Sequence, residues 1–397
     1  MSAAPTTTGQ NEREPTSAAN GDGRVVVVGA GPAGLASAAE LGRRGIRAAV
    51  LEQATGVGWS WRGRYDGLRL NSSRPFSKLP GARFRRGTGI FPSRDEIVGY
   101  LEEYAARYGL EVRLGTRLER IDHDHGGWLL RTSSGDISAA QVIVASGYAH
   151  TPFLPDWPGR DRFQGQLVHS AAYRNADSLG EGDVLVVGAG CSGMEIANEL
   201  ARNGARRVRL SVRTPPNMLV RSPIGPLFAR AMLKLPPAKS DRLINAIRRK
   251  EIGDLTEYGL PEPDEGVFSR LNRLGVAPAI VDKETIQAIK DRRIEIVAGV
   301  ESFDRTAVKL VDGTRIEVDA VVAATGYGCG LEPIVGHLGA LDHRGVPRAL
   351  HGEAAAPGLR FIGYVPRPAQ IGYIGTEAKR AATAIAQEMA RVNASRS

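Results

Sequence analysis

Cysteine is scarce in this chain: two residues in 397, Cys191 and Cys329, far apart and in no CxxC pair. That excludes a disulfide framework and a dithiol redox centre, and it suits a reducing cytoplasm. No apolar stretch approaches the roughly 18 residues of a membrane span. No group of His and Cys has metal-ligand spacing, so no metal is expected. Residues Met1 to Gly23 are rich in Ser, Thr, Ala, Asn and Gly and lack an apolar core. They read as a disordered tail and not as a secretory signal. Acidic residues are outnumbered, leaving a formal charge of +9. The arginines are scattered and no aromatic-basic module accompanies them, which argues against nucleic acid. Attraction of anionic dinucleotides, or simply a basic surface, accounts for the charge. Charged residues make up 24% of the chain, as in ordinary soluble proteins, and the length admits two domains.

Glycine, by contrast, is abundant (48 residues), and two glycine-rich turns share one build. The first is Gly29-Ala30-Gly31-Pro32-Ala33-Gly34, after the apolar run Val25–Val28. The second is Gly188-Ala189-Gly190-Cys191-Ser192-Gly193, after Val184–Val187. Such runs read as buried parallel strands. In the GxGxxG pattern the first glycine makes the tight turn, the second admits a pyrophosphate, and the third lets the helix pack on the strand. Helices are expected over Ala33–Arg43 and Met194–Arg202, with their free N–H groups on the phosphates. The two copies overlay without a gap, Gly29 on Gly188, Leu41 on Leu200 and Gly45 on Gly204.

The overlay exposes one difference. About 20 residues on, where an acid grips a ribose hydroxyl, the first copy has Glu52, followed by Gln53. Glu52 suits the adenosine ribose of FAD or NAD and repels a 2′-phosphate. The second copy has Ser211 there, with Arg213 two residues on. A guanidinium makes paired charge-assisted bonds to phosphate, so the second site is expected to take NADPH, with Arg221 a further candidate. Val142–Tyr148 echoes Val321–Tyr327, each a strand ending in a small-residue turn: Ser146-Gly147 in one, Thr325-Gly326 in the other. Backbone there is placed to touch a cofactor, since ligands lie beyond strand carboxyl ends; Tyr148 and Tyr327 either join it or pack.

Elsewhere, Arg94–Tyr108 reads as a helix with a Ser93/Glu96 capping box, and Arg117–Arg131 as a hairpin about His123–Gly127. The FAD-binding domain is expected over 24–155 and 327–397, and the NADPH-binding domain over 156–326. A helical insertion is expected at 215–255. Leu227, Phe228, Ala231, Met232 and Leu235 form one stripe in it, and Leu243, Ile244 and Ile247 another. These helices either pack on their own domain or wall the substrate space; the Arg248-Arg249-Lys250 run reads as a solvated face. Gln370 lies in the segment Pro368–Gly375 before a closing helix, Thr376–Arg391, and this end of the chain is expected beside the isoalloxazine.

Between the glycine turns, Phe163, Gly165, His169 and Tyr173 match FxGxxxHxxx(Y/F), the motif of class B flavin monooxygenases. The chain resembles that family over nearly all of its length after residue 23. It is most similar to the YUCCA branch, through Asp254–Pro261, Ile294–Val297, Ala324–Tyr327 and Ala378–Arg380. The resemblance implies an α/β protein of two nested Rossmann-like domains, the NADPH domain inserted into the FAD domain. It implies that NADPH reduces FAD and that the reduced flavin forms a C4a-(hydro)peroxide. One oxygen atom then passes to a small organic substrate and the other leaves as water. N- or S-oxygenation and oxidative decarboxylation of an aryl 2-oxo acid such as indole-3-pyruvate are both open. Tyr173-Arg174 departs from the Trp-Pro or Trp-Asp of Baeyer–Villiger enzymes, which lowers ketone oxygenation. A disulfide reductase-like flavoprotein and a flavin redox sensor are the remaining alternatives. By resemblance, Asn71 in Leu68–Ser73 lies near the flavin C4a, although YUCCA proteins often depart from asparagine there. Trp61 and Arg62 line the flavin, and His169 lies on the linker, either orienting the domains or moving a proton. A homo-dimer is compatible with these features.

Overall fold

The computed structural model describes residues 24–396; the expected tail lies outside them. Two largely parallel sheets carry the chain, and the central strands of each are apolar and buried on both faces. The first has the order 354–356, 359–361, 141–144, 25–28, 48–51, 111–113, with only the 354–356 edge antiparallel. The second has the order 294–298, 207–212, 183–187, 320–323, 166–169, all parallel. Apart from that edge, the orders superimpose strand for strand. Each sheet sends out one three-stranded antiparallel crossover before its fourth strand, 118–139 in the first and 300–317 in the second. The expected pair of nested Rossmann-like units is therefore what the chain forms.

The fifth strand of the first sheet, Leu359–Phe361, comes from the chain's end, and that of the second, Gln166–His169, from the passage between the units. The signature stretch Phe163–Tyr173 thus contains a strand of the second sheet and is more than a linker. Helix Pro32–Gly42 is buried along most of its length against the closing helix Gln370–Arg396. That helix begins six residues before the expected start. Helix Arg94–Arg107 has the predicted reciprocal capping box. The hairpin turns at His125-Gly126, both at positive φ, with Asp124 opposite Gly127.

The excursion after strand Arg207–Val212 is longer than 215–255. Strand Met218–Val220 pairs in parallel with Ala279–Val281, so the excursion closes only there, with helices Gly225–Met232, Pro237–Glu251 and Val267–Leu274 between. Met232 and Ile244 pack with Val267 and Phe268 in a small core of their own. Leu227, Leu235 and Leu243, expected on buried stripes, are 59%, 44% and 45% exposed, because the helices turn a narrower face inward. Arg248 is not solvated: it is buried and paired with Glu262 at 2.9 Å. No helix among the described residues is long and apolar enough to cross a membrane.

Candidate active site

Each glycine turn leaves the carboxyl end of its sheet's central strand. In the first, Gly29 sits at φ +100, and a Cβ there would lie 2.8 Å from the Ala145 carbonyl oxygen. A Cβ on Gly34 would lie 1.8 Å from the Gly29 carbonyl oxygen. In the second, Gly188 sits at φ +109, with a would-be Cβ 2.5 Å from the Ala324 oxygen, and the Gly193 contact to Gly188 is again 1.8 Å. The fold itself requires these four glycines. Gly31 and Gly190 differ: both have ordinary extended backbone, and a Cβ on either meets nothing within 4 Å. Nothing in the protein demands glycine at these helix starts, whereas a phosphate drawn close to the backbone does. Both frames therefore fit a dinucleotide. Pro32 gives up no useful donor at the first helical position, and the N–H groups of Ala33 and Gly34 lie in the first turn, as do those of Ser192 and Gly193 in the second copy.

Glu52 is almost fully buried. Its Oε2 accepts from the Ala30 N–H at 2.8 Å and its Oε1 from the Ala54 N–H at 3.0 Å. Each oxygen keeps a further lone pair for a ribose hydroxyl. Gln53 lies just beyond, exposed, near His150. In the second copy Ser211 cannot read a ligand. It is 1% exposed and its hydroxyl donates to the Ala298 carbonyl at 2.8 Å. Arg221 is also committed, buried among carboxylates. Arg213 is exposed at the strand end, beside Gly299.

The small-residue turns match as well. Gly147 and Gly326 adopt φ +87 and +93 after their strands. The Ser146 hydroxyl meets the Tyr364 hydroxyl at 2.8 Å, and Thr325 donates to the Phe153 carbonyl. His169 accepts from the Ala171 N–H through Nδ1 at 3.0 Å, so its Nε2 carries the hydrogen it donates to the Gly326 carbonyl, also 3.0 Å away. Burial lowers its pKa, so the ring is neutral. Both nitrogens bond backbone, which makes His169 a tie between the two chain crossings. Tyr327 stands edge-on to it at 5.0 Å, with the Arg64 guanidinium 4.5 Å above the Tyr327 ring. Tyr148 is 41% exposed.

The remaining expected residues surround the first turn. Trp61 packs at the rim of the first core, and its short helix is held down by the Gly58 N–H on the Ala30 carbonyl. The Arg62 side chain pairs with Glu102 on helix Arg94–Arg107, and its Nε lies beside Gly56 in the segment that follows Glu52. Gln370 caps the closing helix, accepting from the Arg367 N–H at 2.9 Å and facing the Gly363 carbonyl. A Cβ on Gly363, which sits at φ +89, would lie 3.0 Å from the Ala33 Cβ, so this end of the chain does close over the first turn. Asn71 is exposed on the loop from the first unit and reaches the second: its Oδ1 accepts from Arg221 at 3.3 Å, and its amide also reaches the Cys191 thiol.

One group of side chains escapes motif reading. Glu195 lies on helix Cys191–Arg202, bonded to the Tyr65 hydroxyl and to Arg221. Its signal was present: the internal overlay sets Glu195 on Ala36, a charge where the other copy buries a methyl group. The two cysteines stay apart, Cys191 in the second turn and Cys329 buried in the first unit, so no dithiol faces either nucleotide site.

Comparison with known proteins agrees with this architecture. The pyridine nucleotide-disulphide oxidoreductase family matches residues 26–252. Indole-3-pyruvate monooxygenase YUCCA1 of Oryza sativa subsp. japonica is 36% identical over 311 residues, 76% of each chain. The probable indole-3-pyruvate monooxygenase YUCCA4 of Arabidopsis thaliana is 31% identical over 352 residues, 86% of this chain and 85% of its own. Among solved structures, the flavin-containing monooxygenase of Stenotrophomonas maltophilia superimposes with TM-score 0.70 at 22% identity, covering 92% of this chain and 98% of that one. An NADP-bound steroid monooxygenase gives 0.71 at 20% identity, covering 93% and 85%. The chain thus belongs to the pyridine nucleotide-disulphide oxidoreductase family and, within it, to the YUCCA-like, FAD- and NADPH-dependent monooxygenases.

Proposed function

We propose that this monooxygenase acts on an aryl 2-oxo acid such as indole-3-pyruvate, with FAD on the first glycine turn and NADPH on the second. The observation that carries the assignment of the two turns is the contrast at their strand ends, buried Glu52 against exposed Arg213. A carboxylate favours free ribose hydroxyls; a guanidinium favours a phosphate. The substrate class follows the rice and Arabidopsis relatives, whose names specify indole-3-pyruvate. Bound FAD supplies dioxygen activation: with an electron pair from NADPH, one oxygen atom enters the 2-oxo acid, which loses carbon dioxide, and the other becomes water.

The chain's own residues hold this arrangement. The N–H groups after Gly31 and Gly190 take the pyrophosphates. Asn71 extends from the FAD-side loop over the second turn, offering its amide hydrogens to the ligands between the two sites. Trp61 and the closing helix shield the first turn from water. The partition into 24–155 plus 327–397 for FAD and 156–326 for NADPH is part of this reading, supported by the matching strand orders. A cytoplasmic location and a homo-dimer belong to it too; sedimentation at micromolar concentration tests the dimer.

Asparagine at position 71 favours a second reading, N- or S-oxygenation. Incubation of the flavin-loaded enzyme with NADPH, O₂ and, separately, indole-3-pyruvate, an amine and a sulfide distinguishes the two. The first reading expects carbon dioxide and indole-3-acetate in step with NADPH use. N-oxide or sulfoxide with no decarboxylation would overturn it.

A further inference from the structure

The loop carrying Tyr65 and Asn71 meets the second unit at a buried cluster that the nucleotide frames do not need. Arg221 follows strand Met218–Val220, and its N–H donates to the Val281 carbonyl at 2.8 Å. Its side chain is 4% exposed, bonded to Glu195, 3.4 Å from Asp282 and stacked over Phe91. Glu195 is held from its other side by the Tyr65 hydroxyl. The guanidinium therefore has no freedom to swing, and one edge of it faces Asn71 at 3.3 Å.

A guanidinium has donors only. It accepts no bond, so the Asn71 side chain must present its oxygen to Arg221, which leaves its NH₂ on the side of the Cys191 thiol and the second turn. A flipped amide would set donor against donor. We propose that Arg221, clamped by Glu195, is a positioning residue that fixes the direction of the Asn71 amide and so makes Asn71 a hydrogen-bond donor toward the paired nucleotide sites. The proposal rests on the reading of Asn71 given above. It assigns a role to a charge placed where the first copy of the fold has Ala36, and it explains why a loop of the first unit is hydrogen-bonded to an ion pair of the second beside the second turn. Burial pushes the Glu195 carboxyl up to about 7 against the pull of Arg221. Loss of Arg221 accordingly leaves a protonated Glu195 and not a bare buried charge, so the variant has a route to fold.

The test uses the flavoprotein with wild-type sequence, Asn71→Ala, Arg221→Met, the double variant and Arg221→Lys. Two quantities are measured: the share of NADPH electrons recovered as hydrogen peroxide, and the NADP⁺ dissociation constant without turnover. Flavin content and melting temperature report the fold. Asn71→Ala and Arg221→Met should each raise peroxide and weaken NADP⁺ by about three- to tenfold, the weight of one hydrogen bond. The double variant should be no worse than either single one, and Arg221→Lys should recover part of the loss. Effects that multiply in the double variant, or an Arg221→Met enzyme as coupled as wild type beside a leaking Asn71→Ala, would overturn the positioning role alone. A fully coupled Asn71→Ala would overturn the Asn71 reading and this proposal with it. Should Arg221→Met fail to fold, Glu195→Gln carries the test: it frees the guanidinium's clamp and is expected to leak as Asn71→Ala does, while wild-type coupling counts against the proposal.

Discussion

Replacing Gly34 by alanine should unfold the first unit, while replacing Gly31 by valine should spare the fold and lose the flavin. A Cβ on Gly34 would stand 1.8 Å from the Gly29 carbonyl oxygen, which is backbone and cannot rotate away. Relief to about 3.3 Å requires the helix to lift by about 1.5 Å. The helix has 11 residues. It is thus about 16 Å long and about 10 Å across, so a rigid lift opens about 240 Å³ beneath it. At ~24 cal/mol per Å³ the ceiling is about 6 kcal/mol, and tilting or local relaxation brings it toward 3. Total stabilities run from about 5 to 15 kcal/mol, so the change consumes a large fraction. At Gly31 the backbone is already in a conformation open to any residue, and an added Cβ meets none of the described residues within 4 Å. Its cost falls on the phosphate. The assay is the ratio of flavin to protein absorbance after purification, with melting of the flavin-free chain alongside. Gly34→Ala should lose both signals; Gly31→Val should melt like the wild-type flavin-free chain yet bind little FAD. A Gly34→Ala protein with wild-type melting, or a Gly31→Val protein with full flavin, would refute the division of labour among these glycines.

Arg213→Ala should cut the preference for NADPH over NADH by about tenfold or more, one charge-assisted contact's worth, whereas Ser211→Ala should leave it unchanged. The ratio of kcat/KM for the two coenzymes checks both, and an Arg213→Ala enzyme with intact preference removes the assignment. His169→Ala should lower stability by about 1–2 kcal/mol through its two lost backbone bonds. It should slow flavin reduction by NADPH without removing any step from the pH profile; a wild-type limb on the acid side of pH 6.5 that vanishes in the variant would show proton transfer instead. Glu377, 2% exposed beneath the closing turn, is pushed by burial from the usual 4.5 up to about 7, against the Gly363 N–H and nearby Arg367. The folded chain thus holds this proton more tightly than the unfolded one. The stability it contributes is complete below pH 4.5 and is lost as pH rises through 7. Against Glu377→Gln, which cannot ionise, the wild type should lose up to about 3 kcal/mol across that window by urea unfolding; parallel pH curves would contradict the shift.

What the residues by themselves determined is the part of this protein built from local rules. Two valine-rich runs followed by GxGxxG announce buried strand, turn and helix, because Gly34 and Gly193 each answer a steric demand made five residues back, although Gly29 and Gly188 are pressed by Ala145 and Ala324 from a neighbouring strand. The contrast of Glu52 with Ser211 and Arg213 came from the same short reach, as did the capping box at Ser93. Tertiary structure decided the rest. It spent the Ser211 hydroxyl on Ala298 and tied both nitrogens of His169 to backbone, because burial obliges polar groups to find partners, some of which lie far off in the chain. It also exposed Leu227 and Leu235, since helical periodicity marks a stripe without saying whether a neighbour covers it. The cluster of Tyr65, Glu195 and Arg221 exists only where two units meet, and a contact between residues 130 positions apart is set by how the two sheets dock and not by any local pattern.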